Sequence, residues 1–133
     1  LSWNKIKELN ENWFRNLRKL EWLDLSQNQL ASLPPNIFSN LTEVTEINLN
    51  SNQLTSLTDQ HFRNNQKLES ISLSLNKINS LSSTMFDNHE NLQRINLEDN
   101  ECIDKNNGDY YAEKAFLPHI NQFKSDVAAN CTN

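Results

Sequence analysis

The sequence predicts an α/β solenoid, with short parallel strands stacked on one face, irregular or 3-10 backbone on the other, and a short helix and a disulfide at the C-terminal end. Three observations predict it. Apolar residues recur at a spacing of 24 without a slip, an Asn and a Phe recur in the same register, and the period stops at a cysteine.

The period is read from its columns. Leu20, Val44, Leu68 and Leu92 are each 24 residues apart, and so are Leu23, Ile47, Ile71, Ile95 and Leu25, Leu49, Leu73, Leu97. Further on come Leu30, Leu54, Ile78, then Leu33, Leu57, Leu81. Two polar-aromatic columns accompany them: Asn28, Asn52, Asn76, Asn100 and Phe38, Phe62, Phe86. Stepping back by the same interval assigns Leu1, Asn4, Ile6, Leu9, Phe14 and Leu17 to the pattern, so the chain begins inside a repeat. The expected organisation is a partial repeat at 1–19, repeats starting at 20, 44, 68 and 92 and ending at 101, and a C-terminal cap over 102–133.

Each column has a physical reason. Alternation such as Leu23 and Leu25 suits a short strand with one face inward. One repeat cannot bury that face alone, so copies stack, pair their strands at about 4.8 Å and share a continuous core. The Asn of each repeat is expected to turn inward and satisfy backbone groups that the bend leaves unpaired, which would otherwise cost about 1–3 kcal/mol each. The Phe column is expected to stack as a spine on the convex side. Gly108 is the only glycine in 133 residues. Asn tolerates left-handed backbone, so it is expected to make the turns.

Beyond Asn100 the period fails, and Cys102 stands in the column of Leu30, Leu54 and Ile78. Phe116, Ile120, Phe123 and Val127 predict an amphipathic helix within Ala112 to Val127, shortened or kinked by Pro118. Cys102 and Cys131 are the only cysteines, so a disulfide between them has no competitor within the chain. Such a crosslink contributes on the order of 3 kcal/mol in the chain-entropy model. Two reduced, buried cysteines are the alternative. His61, His89 and His119 show no metal-ligand spacing to them, so no metal is expected.

These columns resemble the leucine-rich repeat family in its typical 24-residue extracellular form, as in Toll-like receptor ectodomains, Slit-like proteins and secreted arthropod repeat proteins. The resemblance covers residues 1 to about 101. The run Asn100-Glu101-Cys102-Ile103 is similar to the simpler cap of some secreted insect members. The resemblance implies a horseshoe segment, a recognition role and no cofactor. It also places the residues between the strand leucines on the concave face. That face would carry Trp22, Glu46, Ser70 and Arg94; Asp24, Asn48, Ser72 and Asn96; Ser2, Ser26, Asn50, Ser74 and Glu98; and Trp3, Gln27, Ser51, Leu75 and Asp99.

The candidate ligand contacts are Trp3, Trp22, Asp24, Glu46, Asn48, Ser72, Arg94 and Asn96. The register suggests that Trp3 and Trp22 lie near one another beside Asp24 and Glu46, an anchor for a protein segment carrying Lys or Arg. Alternatively, Trp3 patches the N-terminal end and Trp22 is a solvated strand residue. The Ser- and Asn-rich middle of the sheet suits a glycan or plain hydration. Glu98, Asp99 and Glu101 lack EF-hand spacing and read as a solvated charge run.

Composition bounds the function. With 12 Lys and Arg against 17 Asp and Glu, the net charge of -5 disfavours nucleic acid and anionic membrane surfaces. No apolar run approaches the roughly 18 residues of a spanning helix. A disulfide implies an extracellular or secretory setting, and two sequons, at Asn40 and Asn130, agree with it. Asn40 follows the Phe column, so a glycan there would leave the concave sheet open. The uncovered N-terminal repeat suggests preceding repeats in a longer protein, or a partner or second copy over that end. Nucleophile elbows, zinc-protease helices and phosphate-cradling glycines are absent, so an enzyme is not expected. A protein-binding module is the leading reading, with a structural or oligomerisation scaffold or a glycan binder as alternatives.

Overall fold

The computed structural model describes residues 1–103, 109–111 and 117–131. In chain order its elements are β1 (Trp22–Asp24), β2 (Glu46–Asn48), β3 (Ser56–Leu57), α1 (Asp59–Phe62), β4 (Ser70–Ser72), β5 (Ser80–Leu81), β6 (Arg94–Asn96), β7 (Asp109–Tyr111) and α2 (Leu117–Asn130). The main sheet runs β1-β2-β4-β6-β7, its first four strands parallel and β7 antiparallel to β6. The period sets the register: Leu23 pairs with Ile47, Ile47 with Ile71 and Ile71 with Ile95. Each strand buries its central residue and presents its first and third outward.

The strands are short because the chain turns at the same place in each repeat. Trp3, Gln27, Ser51, Leu75 and Asp99 all adopt left-handed backbone, with φ between 55° and 58°. The expectation that the column Asn makes this turn is therefore corrected: the left-handed residue is the one before it. Reversing the backbone there aims the following Asn inward, and a non-glycine residue accepts strain of about 1 kcal/mol to allow it.

That Asn joins two repeats. Asn52 Nδ2 donates to Leu49 O at 3.1 Å in its own repeat and to Leu25 O at 3.0 Å in the one before. Its Oδ1 accepts Leu30 N–H at 3.1 Å. Asn28, Asn76 and Asn100 repeat this geometry. Asn4 is exposed and bonds only within its own turn, to Leu1 O and Ser2 O.

The core is a single cluster filled by the apolar columns. Phe14, Phe38, Phe62 and Phe86 stack with centroids 5.7 to 6.3 Å apart, and Phe123 of α2 continues the row 5.7 Å beyond Phe86. Between strands, the convex side holds turns closed by bonds such as Ser39 N–H to Asn36 O, the helix α1, and a second sheet pairing β3 with β5. The last two are more regular than the irregular or 3-10 backbone expected there.

The cap closes on this stack. Cys102 and Cys131 form a disulfide, with an S–S distance of 2.06 Å and Cα atoms 5.0 Å apart. Cys131 O also accepts Leu81 N–H at 3.1 Å, and Lys124 pairs with Asp87 at 2.7 Å. The helix starts at Leu117, so Pro118 falls in its first turn, where a missing N–H breaks no helical bond. Pro118, expected to shorten or kink the helix, thus stands in its first turn, and α2 runs to Asn130 with Phe123 and Val127 buried. Phe116, the segment from Ala112 and the Ile120 side chain lie outside the described residues.

Candidate functional site

Strand register converts the exposed columns into rows across the sheet. The first is Trp22, Glu46, Ser70 and Arg94, and the second is Asp24, Asn48, Ser72 and Asn96. Longer side chains flank Ser70 and Ser72 on both sides, so the middle strand lies low. The result is a polar depression of about 130 Å³ lined by Glu46, Asn48, Ser70, Ile71, Ser72, Arg94 and Asn96. It gathers five of the eight candidate contacts and adds Ser70, which stood in the same column without being singled out. Glu46 puts an acid on one wall and Arg94 a base on the other.

The remaining candidates lie elsewhere. Trp22 is 62% exposed and sits beside Glu46 in register. Trp3 N–H donates to Ser26 O at 3.1 Å, which sets Trp3 past the far end of β1 from Trp22. The extended chain between Trp22 and Ser26 covers about 13 Å. The two backbones thus stand apart along the sheet by about that length, and neither ring stacks on another aromatic ring among the described residues.

The second row also serves the fold. Oδ1 of Asp24, Asn48 and Asn96 accepts the N–H two residues on, from Ser26, Asn50 and Glu98, at 2.9 to 3.1 Å. Those bonds turn the chain out of the strand. An Asx residue at this position in three repeats of four was the available signal.

A second ladder, of unlike residues, lies on the convex side. Asn65 is fully buried where the preceding repeat has Leu41, and its Nδ2 donates to Phe38 O at 2.9 Å and Leu41 O at 3.0 Å. One repeat on, His89 Nε2 donates to Phe62 O at 2.9 Å. His61 likewise reaches back to Leu33 O at 3.1 Å. A carbonyl only accepts, so both imidazoles carry their proton on Nε2. In His61, Nδ1 accepts Thr58 N–H at 3.0 Å, whereas in His89 it is buried without a partner among the described residues. Burial holds the His89 pKa below the usual imidazole value, outweighing the Phe62 bond that raises it.

Asn40 is half-buried on the convex side, and Asn130, exposed at the end of α2, donates to Asp126 O at 2.9 Å. Glu98 and Glu101 accept from Asn96 and Asn79. Among the described residues no group of three or more His, Cys, Asp or Glu could hold a metal. No described helix is long and apolar enough to cross a membrane.

Short parallel strands, an inward Asn at each turn and a convex Phe spine, repeated every 24 residues, define a solenoid with an open concave sheet. The chain belongs to the leucine-rich repeat family: the model for the BspA type leucine rich repeat region matches residues 2–108 in six copies. No match is found among curated protein sequences. Among solved structures, the chain is similar to one from the complex of Toll with Spatzle, a hub in Drosophila development and innate immunity, with 30% identity and a TM-score of 0.72. It is also similar to one from the TLR13–ssRNA13 complex, with 28% identity and a TM-score of 0.70, and to the leucine-rich repeat domain of APL1B, with 29% and 0.69. These likenesses cover 74%, 76% and 75% of this chain but only 13%, 14% and 30% of the neighbours' chains.

Proposed function

We propose that the chain is an extracellular recognition module, not an enzyme, and that it binds a protein partner on its concave face. The observation that carries this is the depression over Ser70 and Ser72, where Glu46, Asn48, Arg94 and Asn96 converge without being needed to fill the core. A disulfide in the cap supports an oxidising compartment, and Asn40 on the convex side can carry a glycan without obstructing the sheet.

The solved neighbours include one chain in complex with a protein and one in complex with RNA. For this chain the net charge of -5 and the acid on the depression wall favour a protein, since a phosphate backbone is drawn to clustered bases. A photo-crosslinking residue placed at Ser72 or at exposed Asn88 on the convex side tests the reading in extracellular fluid of the source organism. A discrete protein adduct from position 72 and none from position 88 is expected. Adducts from position 88 alone, or an RNA adduct at position 72, would overturn it.

A further inference from the structure

We propose that Trp22 and Glu46 form a subsite for a single cationic side chain, Lys or Arg, of an extended segment that continues over Ser70 and Ser72. The proposal rests on the concave-face reading and gives the partner its chemistry.

Trp22 and Glu46 are register partners on adjacent strands, about 4.8 Å apart across the ladder. Both side chains are exposed, and both lack a protein partner among the described residues. An exposed aromatic ring in register with an unpaired carboxylate is well matched to a cation. The ring face attracts the charge and packs the aliphatic stem, and the carboxylate takes the N–H groups. Asp24, two residues along the same face of β1, adds a second negative charge, with one oxygen fixed by Ser26 N–H.

Two nearby bases line another place. Arg18 and Lys19 line a different hollow with Glu21, Thr42 and Glu43. On the other side of Glu46 lies the depression, whose serine floor admits backbone where a larger side chain would block it. A segment running along the stack would thus set one cationic residue on Trp22 and pass its neighbours over β4.

Blocked tripeptides acetyl-Gly-Arg-Gly-amide and acetyl-Gly-Lys-Gly-amide, titrated against the full chain, test this by NMR. The readout is the Trp22 indole N–H resonance, assigned with Trp22→Phe. Both cationic peptides are expected to shift it, and the Gln and Glu analogues to leave it unmoved. Glu46→Gln should weaken the cationic peptides about two- to fivefold. Equal shifts from the Gln peptide, or no loss in Glu46→Gln, would overturn the subsite. Separately, if Ser72→Tyr abolishes partner binding while Glu46→Gln does not, the cationic subsite falls and concave recognition stands.

Discussion

Asn65 and His89 stand one repeat apart and make the same bond, each donating to the carbonyl of the spine phenylalanine in the repeat before, Phe38 and Phe62, at 2.9 Å. Two unlike side chains thus perform one task, and only the imidazole can take up a proton.

Acid should therefore loosen the last repeats through His89. Its folded pKa is lowered by burial, so as pH falls the unfolded chain takes the proton first. Stability is fully present above the ordinary imidazole pKa and declines from about pH 6.5 downward. Of the nearby charges, Asp87 is already paired with Lys124 and Glu90 is exposed, so neither meets the buried Nδ1. His89→Asn imitates Asn65 and keeps the bond, so its melting temperature should change less than that of wild type between about pH 7.5 and pH 5.5. An equal change in both proteins would remove His89 from the account.

The inward Asn residues should rank among the costliest polar positions. Asn76→Ala strips partners from Leu49 O, Leu73 O and Leu54 N–H, all buried, and should cost about 2–4 kcal/mol in urea denaturation. Asn4→Ala, at an exposed turn, should cost no more than about 0.5 kcal/mol.

Leu75 combines left-handed backbone at φ 55° with 53% exposure. Asn visits that region more readily, so Leu75→Asn should raise stability by about 0.5–1 kcal/mol. A loss in the same denaturation assay would mean that Leu75 packs usefully where it stands.

Reducing the disulfide opens a loop of 29 residues and should cost about 3 kcal/mol. The break should show first where Cys131 O holds Leu81 N–H, as faster hydrogen exchange of that amide.

The solenoid was legible because identical demands recur at identical spacing: Leu23, Ile47, Ile71 and Ile95 face one core, and each inward Asn meets one bend. Asn65 and His89 were not, since their column also contains Leu17 and Leu41, and a buried task shared by Leu, Asn and His shows no periodicity of type. The left-handed position was hidden for the same reason, because Trp, Gln, Ser, Leu and Asp share a backbone conformation but no chemistry. In β7, antiparallel pairing with β6 falls after Asn100, where the 24-residue pattern has ended and no longer sets the register. Among the candidate contacts, the columns were readable but the depression was not. It depends on Ser70 and Ser72 being short between longer neighbours, a difference of side-chain length within rows that the period had already set.

Concave recognition is tested most directly by the affinity of the crosslinked partner for three proteins: wild type, Ser72→Tyr, which fills the depression, and Asn88→Tyr on the convex side. The account predicts about a hundredfold loss for Ser72→Tyr, the scale of a central contact, and wild-type affinity for Asn88→Tyr. Undiminished binding by a folded Ser72→Tyr protein would contradict it.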